Sequence, residues 1–230
     1  MDLKNKLEAI QKKIVSACER SQRNPHDIRV LLATKTVSPS LLCDVLNLNY
    51  RLFGENKVQE LIEKQSQLKS QEIEWHFIGR LQTNKVKDVL HRCTLIHSLD
   101  RLSLAQEIQK RATQPTPVLI EIHSTTEASK AGISPHDLTS FVRELESLDK
   151  ISIQGVMTLA ANTEDPAQIR QCFRETRQCF EALQKLQPQN KNIKYLSMGM
   201  SHDFEIAIEE GANIIRIGSA VFGERPKSIT

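Results

Sequence analysis

In this chain the apolar run Val30-Leu31-Leu32-Ala33 passes through Thr34 to Lys35 and then to a helix-start pair, Ser38-Pro39. An ammonium is costly to desolvate, so a lysine held in apolar surroundings loses its proton more readily and becomes an amine able to attack an aldehyde. Lys35 is therefore a Schiff-base candidate; the alternative is a side chain that extends from the strand end into solvent. Two further stretches combine glycine with a hydroxyl, Met198-Gly199-Met200-Ser201 and Arg216-Ile217-Gly218-Ser219. Backbone N–H groups and hydroxyls at such turns can bind a phosphate dianion, although each could also be an ordinary turn with a capping serine. Arg216 sits between isoleucines, and strand alternation can send it inward while its neighbours face outward. A buried arginine needs a partner, either a carboxylate or the ring nitrogen of a bound heterocycle.

The elements that must position these groups alternate along the chain. Leu3, Leu7, Ile10, Ile14 and Cys18 recur at helical spacing, which predicts an amphipathic helix from Asp2 to about Arg20, broken by Asn24-Pro25. Strands are predicted at Arg29 to Thr34, Arg51 to Gly54, Glu74 to Gly79, Thr94 to His97, Pro117 to His123, Ile151 to Met157, Ile193 to Ser197 and Ile214 to Ile217. Ser38-Pro39, Ser134-Pro135 and Asp165-Pro166 mark helix starts, and Gly211 marks the end of a helix from Phe204 to Glu210. Eight strand-helix repeats give a single (β/α)8 TIM-type barrel with an extra N-terminal helix, occupying residues 1–230 as one domain. A doubly wound sheet is the alternative, but no G-x-G-x-x-G follows the first strand.

In a barrel, function sits where the strands end. Those ends supply Lys35, Glu55-Asn56, Arg80 with Gln82 and Asn84, His97, His123, Met157-Thr158, Met198 to Ser201, and Gly218-Ser219. His76, His97 and His123 are assigned as core histidines, and the charged helix face from Glu60 to Lys69 is assigned to solvent.

Composition narrows the partners. The 31 basic and 28 acidic residues are mixed along the 230-residue chain and only 4% of residues are aromatic, which argues against nucleic acid. No apolar stretch approaches the ~20 residues that span a bilayer, and the N-terminus lacks the apolar core of a signal peptide, so a cytoplasmic protein is expected. Five cysteines without a C-x-x-C pair suggest reduced thiols, and no H-E-x-x-H motif or close His/Cys cluster suggests a metal.

The chain resembles the pyridoxal phosphate homeostasis protein family, single-domain relatives of the alanine racemase barrel. The resemblance rests on Leu32-Ala33-Thr34-Lys35-Thr36, Phe53-Gly54-Glu55-Asn56 with Val58-Gln59-Glu60, Trp75 through Lys85, Ser129-Lys130-Ala131-Gly132, Gly155-Val156-Met157, Leu196 through Ser201 and Arg216 through Gly223. It implies that Lys35 holds pyridoxal 5'-phosphate (PLP) as an internal aldimine. Ser201, Gly218 and Ser219 are then similar to the phosphate contacts, Arg216 to the arginine facing the pyridine nitrogen, Asn56 to a residue near the ring, and Lys130 to a second lysine proposed to receive the cofactor. The set expected around the cofactor is Lys35, Asn56, Met157, Met198, Gly199, Ser201, Arg216, Gly218 and Ser219, with no catalytic residue and no metal. Thr34 and Ser219 stand where serine and threonine are common in the family, and both keep a hydroxyl.

An arginine cannot give up its proton to the ring nitrogen, so the ring is a poorer electron sink. Racemases of this type add a tyrosine base from a partner subunit, whereas Tyr50 here precedes the second strand and Tyr195 lies in the seventh. The resemblance thus implies a monomeric PLP carrier in transient contact with apoenzymes. An amino-acid racemase and a Schiff-base aldolase acting on a sugar phosphate are the alternatives.

Overall fold

A computed structural model describes residues 2–69, 72–123, 131–160, 163–186 and 192–223. Among them, eight parallel strands close into a barrel in chain order. They are β1 (Arg29–Ala33), β2 (Leu52–Glu55), β3 (Glu74–Phe77), β4 (Leu95–Leu99), β5 (Thr116–Ile122), β6 (Ile151–Thr158), β7 (Tyr195–Met200) and β8 (Ile214–Ile217). The helices are α1 (Leu3–Arg20), α2 (Pro39–Asn47), α3 (Val58–Gln67), α4 (Val86–Val89), α5 (Leu102–Arg111), α6 (Leu138–Leu145), α7 (Pro166–Leu186), α8 (Phe204–Glu209) and α9 (Ser219–Phe222). The expected (β/α)8 barrel with its extra N-terminal helix is what forms.

The predicted helix starts act as the chemistry requires. Ser38 accepts from Leu41 N–H at 3.4 Å, and Asp165 from Ala167 N–H at 2.9 Å, each ahead of a proline that needs no donor there. Ser134 does the same for a 3-10 turn at Pro135–Asp137 that leads into α6. The closing α9 is one turn long, and α1 packs over it and α8, with Lys6 Nζ donating to Val221 O at 3.0 Å.

Alternation divides the apolar residues between two layers. Leu32, Phe53, Phe77, Val156 and Ile215 face the helices and bury against Leu42, Leu61, Leu104 and Phe173, each such side chain contributing roughly 1.5–3 kcal/mol. Leu31, Leu95, Leu119, Met157 and Ile214 form a second cluster in the barrel interior. Below them, at the N-terminal strand ends, Glu74 meets His76 Nε2 at 3.0 Å and Arg29 Nη2 at 2.5 Å. The hydrogen bond to His76, aided by Arg29, draws the Glu74 carboxyl down to about 2. A depressed acid stabilises the fold above its unfolded value and stops doing so as the pH falls through the folded one. The stability gap between wild type and Glu74→Gln should therefore be full above about pH 4.5 and close as the pH falls towards 2, which urea denaturation across that range measures.

Candidate functional site

Lys35 sits in a tight turn at the end of β1. Val37 N–H donates to Thr34 O at 3.0 Å, and Thr36 adopts φ 63°, a left-handed conformation that suits glycine and strains a β-branched residue. Strain of that kind costs about 1–3 kcal/mol and persists only where the surroundings enforce it. Here α3 enforces it. Glu60 Oε2 accepts from Thr36 N–H at 2.6 Å, and Lys64 Nζ donates to Thr34 O at 2.6 Å, so one helical turn of α3 grips the backbone on both sides of Lys35.

The grip continues into the core. Lys64 Nζ also donates to Glu55 Oε1 at 2.6 Å and lies 3.3 Å from Glu60 Oε2, while Thr34 Oγ1 donates to Glu55 Oε1 at 2.5 Å. Three acceptors use every N–H of the Lys64 ammonium and leave no lone pair for nucleophilic work. Burial pushes the Glu55 carboxyl up, and the bonds from Lys64 and Thr34 oppose that rise. Lys35 is different: its half-buried side chain forms no hydrogen bond or ion pair with a described residue. Assigning the Glu60 to Lys69 face to solvent was therefore incorrect at its N-terminal end, because Glu60 and Lys64 point onto the β1 turn and Lys64 is only 4% exposed.

Across the barrel mouth, β7 and β8 are out of step by one residue. Ser197 pairs with Ile214 but Met200 with Arg216, so β7 carries a bulge at which Gly199 takes φ 91°. A side chain at Gly199 would lie 2.5 Å from Ala207 Cβ, so α8 can approach only because the residue is glycine. The bulge delivers Ser201 to the last loop, where its Oγ accepts from Gly218 N–H and Ala220 N–H, both at 3.2 Å. The hydroxyl's own hydrogen remains for a further acceptor.

Arg216, 4% exposed, donates through Nη1 to Ser197 O and Oγ and through Nη2 to Thr158 O, at 2.7–3.0 Å. Among the described residues no carboxylate forms an ion pair with it. Burial draws it down to about 10, partly offset by more distant Asp203 and Glu121, so it keeps its charge at neutral pH.

Lys35, Asn56, Ser201, Arg216, Gly218 and Ser219 border one cavity of about 480 Å³, together with Ala33, Ile78, Leu159, Met200 and His202. Met198, Gly199 and Met157 do not border it. Met198 belongs to the helix-facing layer and Met157 to the interior cluster below. The prediction placed Met198 and Gly199 in a loop; β7 in fact continues to Met200, and the bulge turns Met200 to the mouth in place of Met198. Lys130 lies outside the described residues. His76 and His97 are buried with both ring nitrogens bonded, whereas His123 borders a different cleft beside α6 and α7. Arg80 and Gln82 also border a separate cleft, and Arg80 lies 3.5 Å from Asp100.

The sequence reading missed the apolar walls. Three large hydrophobics are exposed among the described residues, and two of them, Leu159 at 46% and Met200 at 38%, flank this cavity. Their only sequence signal is a place just past the predicted strand ends, Leu159 two residues after Met157 and Met200 three after Ser197. The cavity thus joins an unengaged amine, a charged donor without a carboxylate, a hydroxyl-amide cup and uncovered apolar edges. Among the described residues no group of His, Cys, Asp or Glu is arranged to hold a metal, and no helix is long and apolar enough to cross a membrane.

Residues 7–226 match the family model for the alanine racemase N-terminal domain. The chain is 43% identical over 228 residues to the pyridoxal phosphate homeostasis protein of Aquifex aeolicus, covering 98% of this chain and 99% of that one. Its fold is similar to that of an unknown protein from Bifidobacterium adolescentis (TM-score 0.89, 30% identity, 96% of this chain and 94% of the other). It is also similar to PipY of Synechococcus elongatus PCC7942 with PLP bound (TM-score 0.80, 31% identity, 93% of this chain and 100% of the other). By matches that run along nearly its whole length, the chain belongs to the alanine racemase N-terminal domain family and, within it, to the pyridoxal phosphate homeostasis proteins.

Proposed function

We propose that this protein binds pyridoxal 5'-phosphate reversibly through Lys35 and serves intracellular PLP homeostasis as a carrier. The observation that carries the proposal is the single cavity on which an unengaged lysine faces a buried arginine lacking a carboxylate, between exposed apolar edges and a hydroxyl-amide cup. Lys35 would hold PLP, whose aldehyde would supply reversible imine chemistry to the lysine amine, water being released as the C=N bond forms. The chain's own groups do the rest. Ser201, Gly218 and Ser219 would hold the phosphate, Asn56 would lie beside the ring, and Leu159, Met200 and Ile78 would cover its apolar surface. Arg216 would donate to the ring nitrogen without surrendering its proton.

The PLP-bound relative and the name shared by the curated relatives support this reading. The racemase reading needs a tyrosine base from a partner subunit, and both tyrosines of this chain lie at the barrel end opposite the cavity mouth. Tyr195 Oη takes a hydrogen bond from Arg29 at 3.0 Å at the opposite barrel end, and Tyr50 lines a cleft there. The aldolase reading leaves Arg216 and the apolar edges without a role. The one-domain organisation over residues 1–230, the monomeric state, the cytoplasmic location and transient delivery to apoenzymes belong to the same proposal. Light scattering giving twice the chain mass would revise the monomer.

Mixing the protein with an equimolar amount of PLP should produce a yellow imine absorbance, and incubation with L-alanine in heavy water should give no exchange at the α-carbon. A colourless mixture that borohydride traps only with a sugar phosphate would instead establish the aldolase. Ser201→Ala together with Ser219→Ala should speed PLP loss during dialysis by on the order of a hundredfold or more, since two hydrogen bonds to a charged group are worth roughly 1.5–3 kcal/mol each. Retention at the wild-type rate would remove these serines from the phosphate site.

A further inference from the structure

Arg216 is the first member of a file of polar side chains that crosses the barrel interior. Its Nη1 lies 2.8 Å from Ser197 Oγ, which lies 3.1 Å from His97 Nδ1. His97 Nε2 is 2.9 Å from His76 Nδ1, and His76 Nε2 is 3.0 Å from Glu74 Oε1. Ser197, His97 and His76 are buried, while Glu74 reaches the cleft at the N-terminal strand ends, the face opposite the cavity. The proposed carrier role gives none of these four residues anything to do.

The two ends of the file fix its direction. An arginine only donates hydrogen bonds, and an ionised carboxylate only accepts them. Arg216 therefore gives a hydrogen to Ser197 Oγ, Ser197 gives its own to His97 Nδ1, His97 carries its proton on Nε2 and gives it to His76 Nδ1, and His76 carries its proton on Nε2 and gives it to Glu74. A neutral imidazole has one donor and one acceptor. Any single reversal leaves two lone pairs or two hydrogens facing each other, unless a buried ring takes a second proton. Burial lowers both rings' affinity for that proton, His97 well below the ordinary value.

We infer that Ser197, His97, His76 and Glu74 are positioning residues for Arg216, a one-way run of hydrogen bonds that fixes from the opposite end of the barrel how the guanidinium is presented to the cofactor ring. The role rests on the PLP reading of the cavity, but the run itself is a property of the cofactor-free protein.

Nitrogen-15 spectra of the histidine rings in cofactor-free protein test the run directly: between pH 6 and 8, on the order of the range where a free imidazole titrates, both rings should be neutral and protonated on Nε2. Ser197→Ala and His97→Leu test the role. Each should release PLP about threefold to tenfold faster than wild type, the value of one hydrogen bond, and shift the imine absorption maximum, which a merely structural loss would leave in place. Ser197→Ala serves if His97→Leu fails to fold. Wild-type protein that takes up no PLP overturns the cofactor reading and this role with it. Uptake accompanied by Nδ1-protonated rings, or by wild-type release and spectrum in the variants, overturns the file alone.

Discussion

Lys35→Ala is expected to abolish covalent retention of PLP while leaving the barrel intact. Borohydride reduction of wild-type protein mixed with PLP should add one cofactor mass, and the variant should add none and dialyse colourless. The fold should barely notice, because the Lys35 side chain is half-buried and bonded to no described residue. Substitutions of that sort stay within about 0.5 kcal/mol, hence within about 2 °C in the thermal midpoint for a chain this long. Lys64 of α3 reaches the same turn and is the obvious substitute amine, yet its three hydrogens already meet Thr34 O, Glu55 and Glu60. An adduct on Lys64 in the variant would show that the α3 grip is looser than the distances state.

The second large effect belongs to Lys64 itself. Lys64→Met keeps much of the side chain's length but strips Glu55, whose side chain is fully buried, of its cation. Breaking such a pair from one side typically costs about 3–5 kcal/mol, because a buried charge is left uncompensated. The thermal midpoint should fall by on the order of 10 °C. The loss should deepen as the pH rises: burial already sets the Glu55 folded value above its unfolded one, so the favourable protonated form is given up as the pH climbs through the folded value. Glu55→Gln combined with Lys64→Met should recover part of the loss, since no buried charge then remains. Strictly additive losses in the two single variants would mean that the pair does not interact. Freed from Lys64, the Thr34 carbonyl also holds the strained Thr36 turn less firmly, so the double variant should regain stability more fully than it regains PLP uptake.

Both predictions turn on a distinction between local and long-range information. The amino-acid sequence determined the barrel, because alternating apolar runs, proline-marked helix starts and Gly211 are local signals that each state one element's identity or its end. It also determined that Lys35, Asn56, Ser201, Arg216, Gly218 and Ser219 would meet, since a parallel barrel carries every strand end to one face. Packing decided what no local pattern encodes. Glu60 and Lys64 read as an ordinary charged helix face until α3 lies against the β1 turn. Met198 was placed in a loop beyond Ser197, whereas β7 runs on to Met200 through a bulge whose Gly199 lets α8 approach. His76 and His97, 21 residues apart, become partners only through the interstrand register of β3 and β4. Sequence spacing specifies which side of an element a group occupies; which group it then touches depends on registers and helix positions set by the whole closed sheet.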